Sequence, residues 1–222
     1  MLAAAIGLTL IAQAPFRICI DPGHPSELND AFHLTNGISE NWVNWQVSLL
    51  LKKELEKIGG FSIKFTKTAE KELVKNRRRA EIANEFGAQL LLRIHADAGP
   101  GSGFTIYYPK QKGTTQGTTG PSEEVIRRSG IAATAFHEAL ATSLKGILKD
   151  NGIKGDILSN IGSKQGALTG SIFSKCPVMM VEMCFLTNKK DAAWIKEPQN
   201  RTVMAKALAA GCVAVRKATP SG

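Results

Sequence analysis

No run of apolar residues in this chain is long enough to span a bilayer as a helix, which takes about 20. Its four cysteines contain no Cys-x-x-Cys pair, which removes thiolate zinc sites of the finger and ribbon type. The tract Gly162-Ser163-Lys164-Gln165-Gly166 lacks the G-x-x-x-x-G-K-[ST] spacing, so phosphate-loop chemistry is set aside. Ser102 lies in Gly101-Ser102-Gly103, not in a G-x-S-x-G elbow, and the serine-hydrolase reading goes with it. Acidic residues are in the minority, 19 against 28 Lys and Arg, for a formal net charge of +9. That balance suits an anionic partner such as a cell-wall polymer or phospholipid headgroups. Nucleic acid is not expected: the basic residues are scattered except at Arg77-Arg78-Arg79, and no zinc-finger or RNA-binding motif accompanies them.

With 222 residues and 43% hydrophobic content, the chain has the material for one domain with a single sizeable core, and it reads as a monomer. Residues 1–14 carry no charged side chain and end in Ala12-Gln13-Ala14 before Pro15. This resembles the apolar region and cleavage site of a secretory signal peptide, though no basic residue opens it; the competing reading is a first buried strand. On the former reading the mature domain is 15–222, exported to the periplasm or cell envelope. Cys19, Cys176, Cys184 and Cys212 each sit among apolar neighbours, where buried free thiols are common.

Hydrophobic periodicity predicts strands at 16–20, 62–66, 89–94, 103–108 and 177–181. Helices are predicted at about 40–58, opened by a Ser39 cap and closed by Gly59-Gly60, and at about 71–86, 122–149 and 199–217. The stretches 109–121 and 162–170 read as Gly/Thr and Gly/Ser/Lys loops. Strands alternating with helices, several strands apolar throughout, imply a single α/β domain: a mixed, mostly parallel sheet of about six strands sandwiched by helices.

Three of these segments run an apolar stretch into a polar, metal-capable residue: Ile18-Cys19-Ile20-Asp21-Pro22-Gly23-His24, Leu90-Leu91-Leu92-Arg93-Ile94-His95 and Val178-Met179-Met180-Val181-Glu182. In open α/β sheets, ligands collect at the carboxyl ends of such strands. His24 follows a Pro-Gly turn, and Asp21 is placed to accept its other ring N–H; a surface histidine is the plain alternative. For His95 the alternative is a satisfied core histidine. Arg93 shares a strand face with His95 and is either paired internally or placed to meet an anionic substrate group. Glu182, alone in an apolar run, is a general base beside a metal or half of a structural ion pair, with Arg93 as one possible mate. Glu40 opens a helix, where acidic residues are common in any case, and position alone does not choose it over Glu27 or Asp30 as a ligand. His33 and His137 read as solvated or core-edge residues.

Taken in order, Asp-Pro-Gly-His at 21–24, Gly37-Ile38-Ser39-Glu40, Arg79-Ala80-Glu81-Ile82-Ala83-Asn84, Ile94-His95-Ala96, the 103–108 strand, and 177–182 with Phe185 and Asn188 resemble the zinc-dependent N-acetylmuramoyl-L-alanine amidases of the type-3 amidase family, from about 17 to 210. The resemblance implies one Zn2+ on His24, Glu40 and His95, with Glu182 as the catalytic glutamate and peptidoglycan as the substrate. The chain departs from the family pattern at Pro25-Ser26, Asn41, Arg93 and Asp97; no ligand or base is lost, and Arg93 is placed to recognise a stem-peptide carboxylate. The 109–121 loop leaves no room for a helical insertion of the kind that blocks the site in some relatives. Two other classes fit less well: a zinc peptidase or amidohydrolase acting on another peptide, and a catalytically silent wall-binding module.

Overall fold

The computed structural model describes residues 14–27 and 34–219. The expected leader, but for Ala14, therefore lies outside the described residues, as do Asp30 and His33.

Strand β1 (Phe16–Pro22) is followed by a two-rung ladder of β2 (Leu34–Thr35) and β3 (Ile38–Ser39). The ladder turns on Asn36-Gly37, both with positive φ (51° and 71°), the Asn-Gly chemistry that suits a tight hairpin. Helix α1 (Glu40–Ile58) starts where expected: the Ser39 hydroxyl accepts from the Trp42 N–H at 3.5 Å, and Gly59, at φ 76°, closes it. After β4 (Phe61–Phe65), helix α2 (Asn76–Glu85) begins five residues later than its periodicity predicts. The reason is tertiary. The Val74 N–H donates to the Pro25 carbonyl at 3.2 Å and Glu70 O accepts from Lys67, so this stretch is held against the loop after β1 instead of coiling.

Strands β5 (Leu90–Asp97) and β6 (Phe104–Tyr108) follow, and the Gly/Thr loop contains a small hairpin, β7 (Gly113–Thr115) and β8 (Thr118–Gly120). Helix α3 (Glu123–Leu144) is shorter than predicted. The chain leaves it near Gly146, at φ 75°, so the residues read as its last turn form a turn instead, and the strand β9 (Asp150–Gly155) that follows is not among those predicted. A 3-10 turn (Asp156–Leu158) follows, the short helix α4 (Gly162–Gln165) lies in the predicted Gly/Ser/Lys loop, and a second, α5 (Thr169–Ile172), starts at that loop's end. Strand β10 (Val178–Phe185) leads into α6 (Lys189–Lys196), capped by the Asn188 side chain, and then α7 (Pro198–Ala218).

The main sheet has six strands in the order β4-β1-β5-β10-β6-β9; β4, β1, β5 and β10 run parallel, and β6 and β9 run against them. Alternation along the strands divides the core. Ile18, Ile20, Leu90, Leu92, Ile94 and Val181 point to the face covered by α1, α3 and α7, while Cys19, Leu91 and Val178 pack with Ala80 and Ala83 of α2 on the other. All four cysteines are free and buried. Among the described residues no helix is long and apolar enough to cross a membrane. The parity that sends Leu91 and Val178 to the α2 face also sends Arg93, His95 and Glu182 there, at the carboxyl ends of central strands.

Candidate metal centre

His24, Glu40 and His95 converge: one ligand atom from each lies within 4.8 Å of the others. Each arrives from a different element. His24 leaves the end of β1 with φ at 57°, a left-handed conformation uncommon for a residue with a Cβ and typical of functional sites. Glu40 is delivered by the first turn of α1, and His95 by β5. Gly23 explains how His24 and His95 come so close. A Cβ at Gly23 would lie 2.4–2.6 Å from three atoms of the His95 ring, so the bare backbone packs against the imidazole. The Gly23 N–H meanwhile donates to Ile94 O at 2.8 Å.

The Glu40 carboxylate is the hub. Its Oε1 lies 3.1 Å from His95 Nδ1 and accepts from the Ala96 N–H at 3.2 Å and from Asn44 Nδ2 at 3.2 Å; its Oε2 lies 3.4 Å from His24 Nε2. Burial pushes this carboxyl up, but the His95 hydrogen bond and the neighbouring His24 outweigh it and hold the group below the usual range. Burial pulls His95 down to about 4 despite the help of Glu40, so its imidazole is neutral at physiological pH. Neutral imidazoles and an ionised carboxylate are the protonation states a metal requires of such ligands. The buried His95 Nε2 has no hydrogen-bond partner among the described residues, and an orphaned ring nitrogen in the cluster fits a bound cation.

Across the sheet, register sets Glu182 of β10 beside His95 of β5 and Thr105 of β6, so the three side chains share one row on one face. Glu182 Oε2 and Thr105 Oγ1 are both buried without partners among the described residues. Burial pushes the Glu182 carboxyl well above the ordinary value, and the charges of Glu40 and Asp97 add to it, the pattern expected of a proton-transferring group.

One sequence expectation changes here, and one open alternative is decided. Asp21 does not orient His24. It is fully buried and accepts from Thr66 Oγ1 (2.6 Å), Arg79 Nη1 (2.5 Å) and Arg93 Nε (3.0 Å). Arg93 takes the internally paired alternative: Nε meets Asp21, and Nη2 donates to Asn76 Oδ1 at 2.8 Å, so it is not the mate of Glu182. His137 pairs with Asp150 at 2.9 Å, on the edge strand β9. Sequence reasoning missed Asn44, Thr105 and Lys67. Only the i, i+4 spacing of Asn44 from Glu40 gave a signal; Thr105 and Lys67 are placed by strand register and loop closure.

The sequence profile of the N-acetylmuramoyl-L-alanine amidase family matches residues 18–214. The chain is 31% identical over 144 residues to N-acetylmuramoyl-L-alanine amidase CwlM of Bacillus licheniformis, covering 61% of this chain and 56% of that one. It is 30% identical over 144 residues to the sporulation-specific N-acetylmuramoyl-L-alanine amidase of Bacillus subtilis (strain 168), so the matched part spans a little over half the length of either relative. Among solved structures, the amidase Ami1 of Mycobacterium smegmatis superposes with a TM-score of 0.74 at 21% identity, covering 93% of this chain and 99% of that one. The catalytic domain of CwlV from Bacillus (Paenibacillus) polymyxa gives 0.72 at 18% identity, covering 92% and 99%. These superpositions establish the shared fold; the profile match over nearly the whole chain, on a fold that gathers His24, Glu40 and His95, places the chain in the N-acetylmuramoyl-L-alanine amidase family.

Proposed function

We propose that this chain is a zinc-dependent hydrolase that cleaves the amide between the lactyl group of N-acetylmuramic acid and L-alanine in peptidoglycan, working at the cell envelope after export. The observation that carries the reading is the His24/Glu40/His95 cluster with the buried, partnerless Glu182 carboxyl in register beside His95. Two imidazoles and one carboxylate are the donor set of catalytic zinc sites, which keep a position open for water or substrate. Zinc bound there would supply Lewis-acid activation of water and of the scissile carbonyl.

The remaining chemistry belongs to the chain. Glu182 Oε2 takes a proton from the attacking water as its oxygen adds to the lactyl carbonyl carbon. As the C–N bond breaks, the same oxygen returns a proton to the departing nitrogen, leaving a lactyl carboxylic acid and the free amine of L-alanine. A raised proton affinity at Glu182 suits the second half-step, and the neighbouring cation would favour the ionised form needed for the first.

Arg93 enters as a support for substrate binding. Its partner Asn76 lines a polar cavity of about 490 Å³ with Lys75, Arg77, Arg78, Gln116 and Thr169. The cavity joins the N-terminus of α2 to the Gly/Thr hairpin and to α5; Glu27 and Glu81 line it as well, so its wall is mixed in charge, and the three basic side chains are the ones that suit stem-peptide carboxylates. The test uses two soluble substrates, an N-acetylmuramoyl peptide and the same peptide without the sugar. Metal-dependent release of the peptide from the first alone supports the amidase; hydrolysis within the second moves the activity to a peptidase.

A further inference from the structure

The loop that carries His24 is held by its carbonyl oxygens. Pro22 O accepts from Arg79 Nη1 at 2.8 Å and Pro25 O from Arg79 Nη2 at 2.9 Å. Gly23 O accepts from Asn44 Nδ2 at 3.4 Å, and His24 O accepts from Lys67 Nζ. Every carbonyl from 22 to 25 thus has a side-chain donor, and two of the three donors are cations only 1% exposed.

Lys67 is the unusual one. A buried ammonium is costly unless something compensates it, yet it has no carboxylate contact among the described residues. Its three N–H groups go to His24 O, to Asn41 Oδ1 at 2.9 Å and to Glu70 O at 2.8 Å, and the Trp45 ring lies 5.5 Å away. These acceptors come from three separate segments. One is the backbone of a metal-ligand residue, and another is the side chain next to Glu40, the second ligand. A methionine would fill the same volume without the desolvation cost, so space filling does not explain the charge. The backbone of His24 does: a left-handed residue with a Cβ persists only where its surroundings over-determine it.

We propose that Lys67 and Arg79 are positioning residues for the metal centre, a pair of buried cations that grip the carbonyls of the 22–25 loop and set the His24 imidazole toward Glu40 and His95. The inference rests on the metal-site reading above. Neither cation touches substrate; both act through His24, and Lys67 also through the start of α1.

The test measures zinc affinity of the full chain by competition with a chromophoric chelator, together with the visible spectrum of the cobalt-loaded protein. Lys67→Met is expected to weaken zinc binding about 10- to 100-fold, the range for groups that orient metal ligands, and to change the cobalt bands. Leu144→Ala, in the α3 core far from the loop, lowers stability but should hold zinc within about twofold of the parent with an unchanged spectrum, the scale set by independence of distant sites. Lys67→Met binding zinc as the parent does, with the parent's spectrum, overturns the clamp and leaves the metal site standing. A parent chain that binds no zinc overturns both. Should Lys67→Met not fold, Asn41→Ala removes one acceptor only: a severalfold loss supports the clamp and parental affinity overturns it.

Discussion

Gly23→Ala is the smallest change that separates a built metal site from a chance cluster. The added Cβ would lie 2.4–2.6 Å from Cε1, Nε2 and Nδ1 of His95. Relaxed carbon contacts sit at about 3.5–4.0 Å, so ring and loop must part by roughly 1 Å. The loop cannot yield easily, since its Gly23 N–H is bonded to Ile94 O and its carbonyls are held by Arg79 and Lys67. The ring is therefore expected to move, breaking its 3.1 Å contact with Glu40. Zinc tolerates ligand-distance errors of only about 0.2 Å, and a misplacement of about 1 Å in a catalytic group costs on the order of 100-fold. Overpacking of this kind costs about 1–3 kcal/mol, which for a domain of this size lowers Tm by roughly 2–12 °C. The assay pairs zinc titration with turnover of a soluble muramoyl peptide, and circular dichroism confirms that the variant is folded. A folded Gly23→Ala that binds zinc and turns over like the parent refutes the packing argument and the site built on it.

Glu182→Gln should keep zinc and lose turnover by about 100- to 10,000-fold, the range for a general acid–base group; loss of zinc instead would make Glu182 a ligand. The same variant carries a stability prediction with a definite sign. A carboxyl whose folded value is raised favours folding at low pH and loses that benefit as pH rises above its unfolded value of about 4.3. Metal-free Glu182→Gln should therefore melt higher than the metal-free parent near pH 8, with the gap closing toward about pH 4; a gap independent of pH contradicts it. Asp21→Asn is expected to cost about 3–5 kcal/mol at neutral pH, because it leaves Arg79 and Arg93 without their buried counter-charge. Burial pushes the Asp21 carboxyl up, but the two guanidiniums hold it well below the usual range. The deficit, measured by urea unfolding, should persist from about pH 8 to 5 and shrink only below about pH 4, as the parent loses the same interaction; a deficit that changes between about pH 8 and 5 contradicts that assignment.

Much of this was legible in the sequence, and the reasons divide cleanly. The apolar runs before His24, His95 and Glu182 announce strands buried on both faces, and alternation fixes which residues share a face, so Arg93 falls beside His95 as expected. Glu40 was different. A glutamate in the first turn of a helix looks the same whether it serves the helix dipole or a metal, and only the family resemblance favoured it before the fold placed it against both histidines. Asp21 and Arg79 show where local reading fails. Asp21 lies three positions before His24, but its partners Thr66, Arg79 and Arg93 lie 45, 58 and 72 positions away. Arg79 reads in sequence as the last of three consecutive arginines, yet it is 1% exposed and grips the His24 loop. Strand β9 was not legible, since Asp150-Asn151-Gly152-Ile153-Lys154-Gly155 has a single apolar residue and no apolar alternation, and its Asn-Gly reads as the close of the preceding helix.

The most direct measurement is the product of zinc-loaded protein acting on purified peptidoglycan, read by mass spectrometry with Glu182→Gln alongside. The expected result is glycan freed of peptide, together with stem peptides bearing new L-alanine amino termini, lost in the variant and after chelation. Zinc bound in place with the lactyl–alanine bond intact, or with cuts only inside the stem peptide, would contradict the assignment of this site to the muramoyl amide.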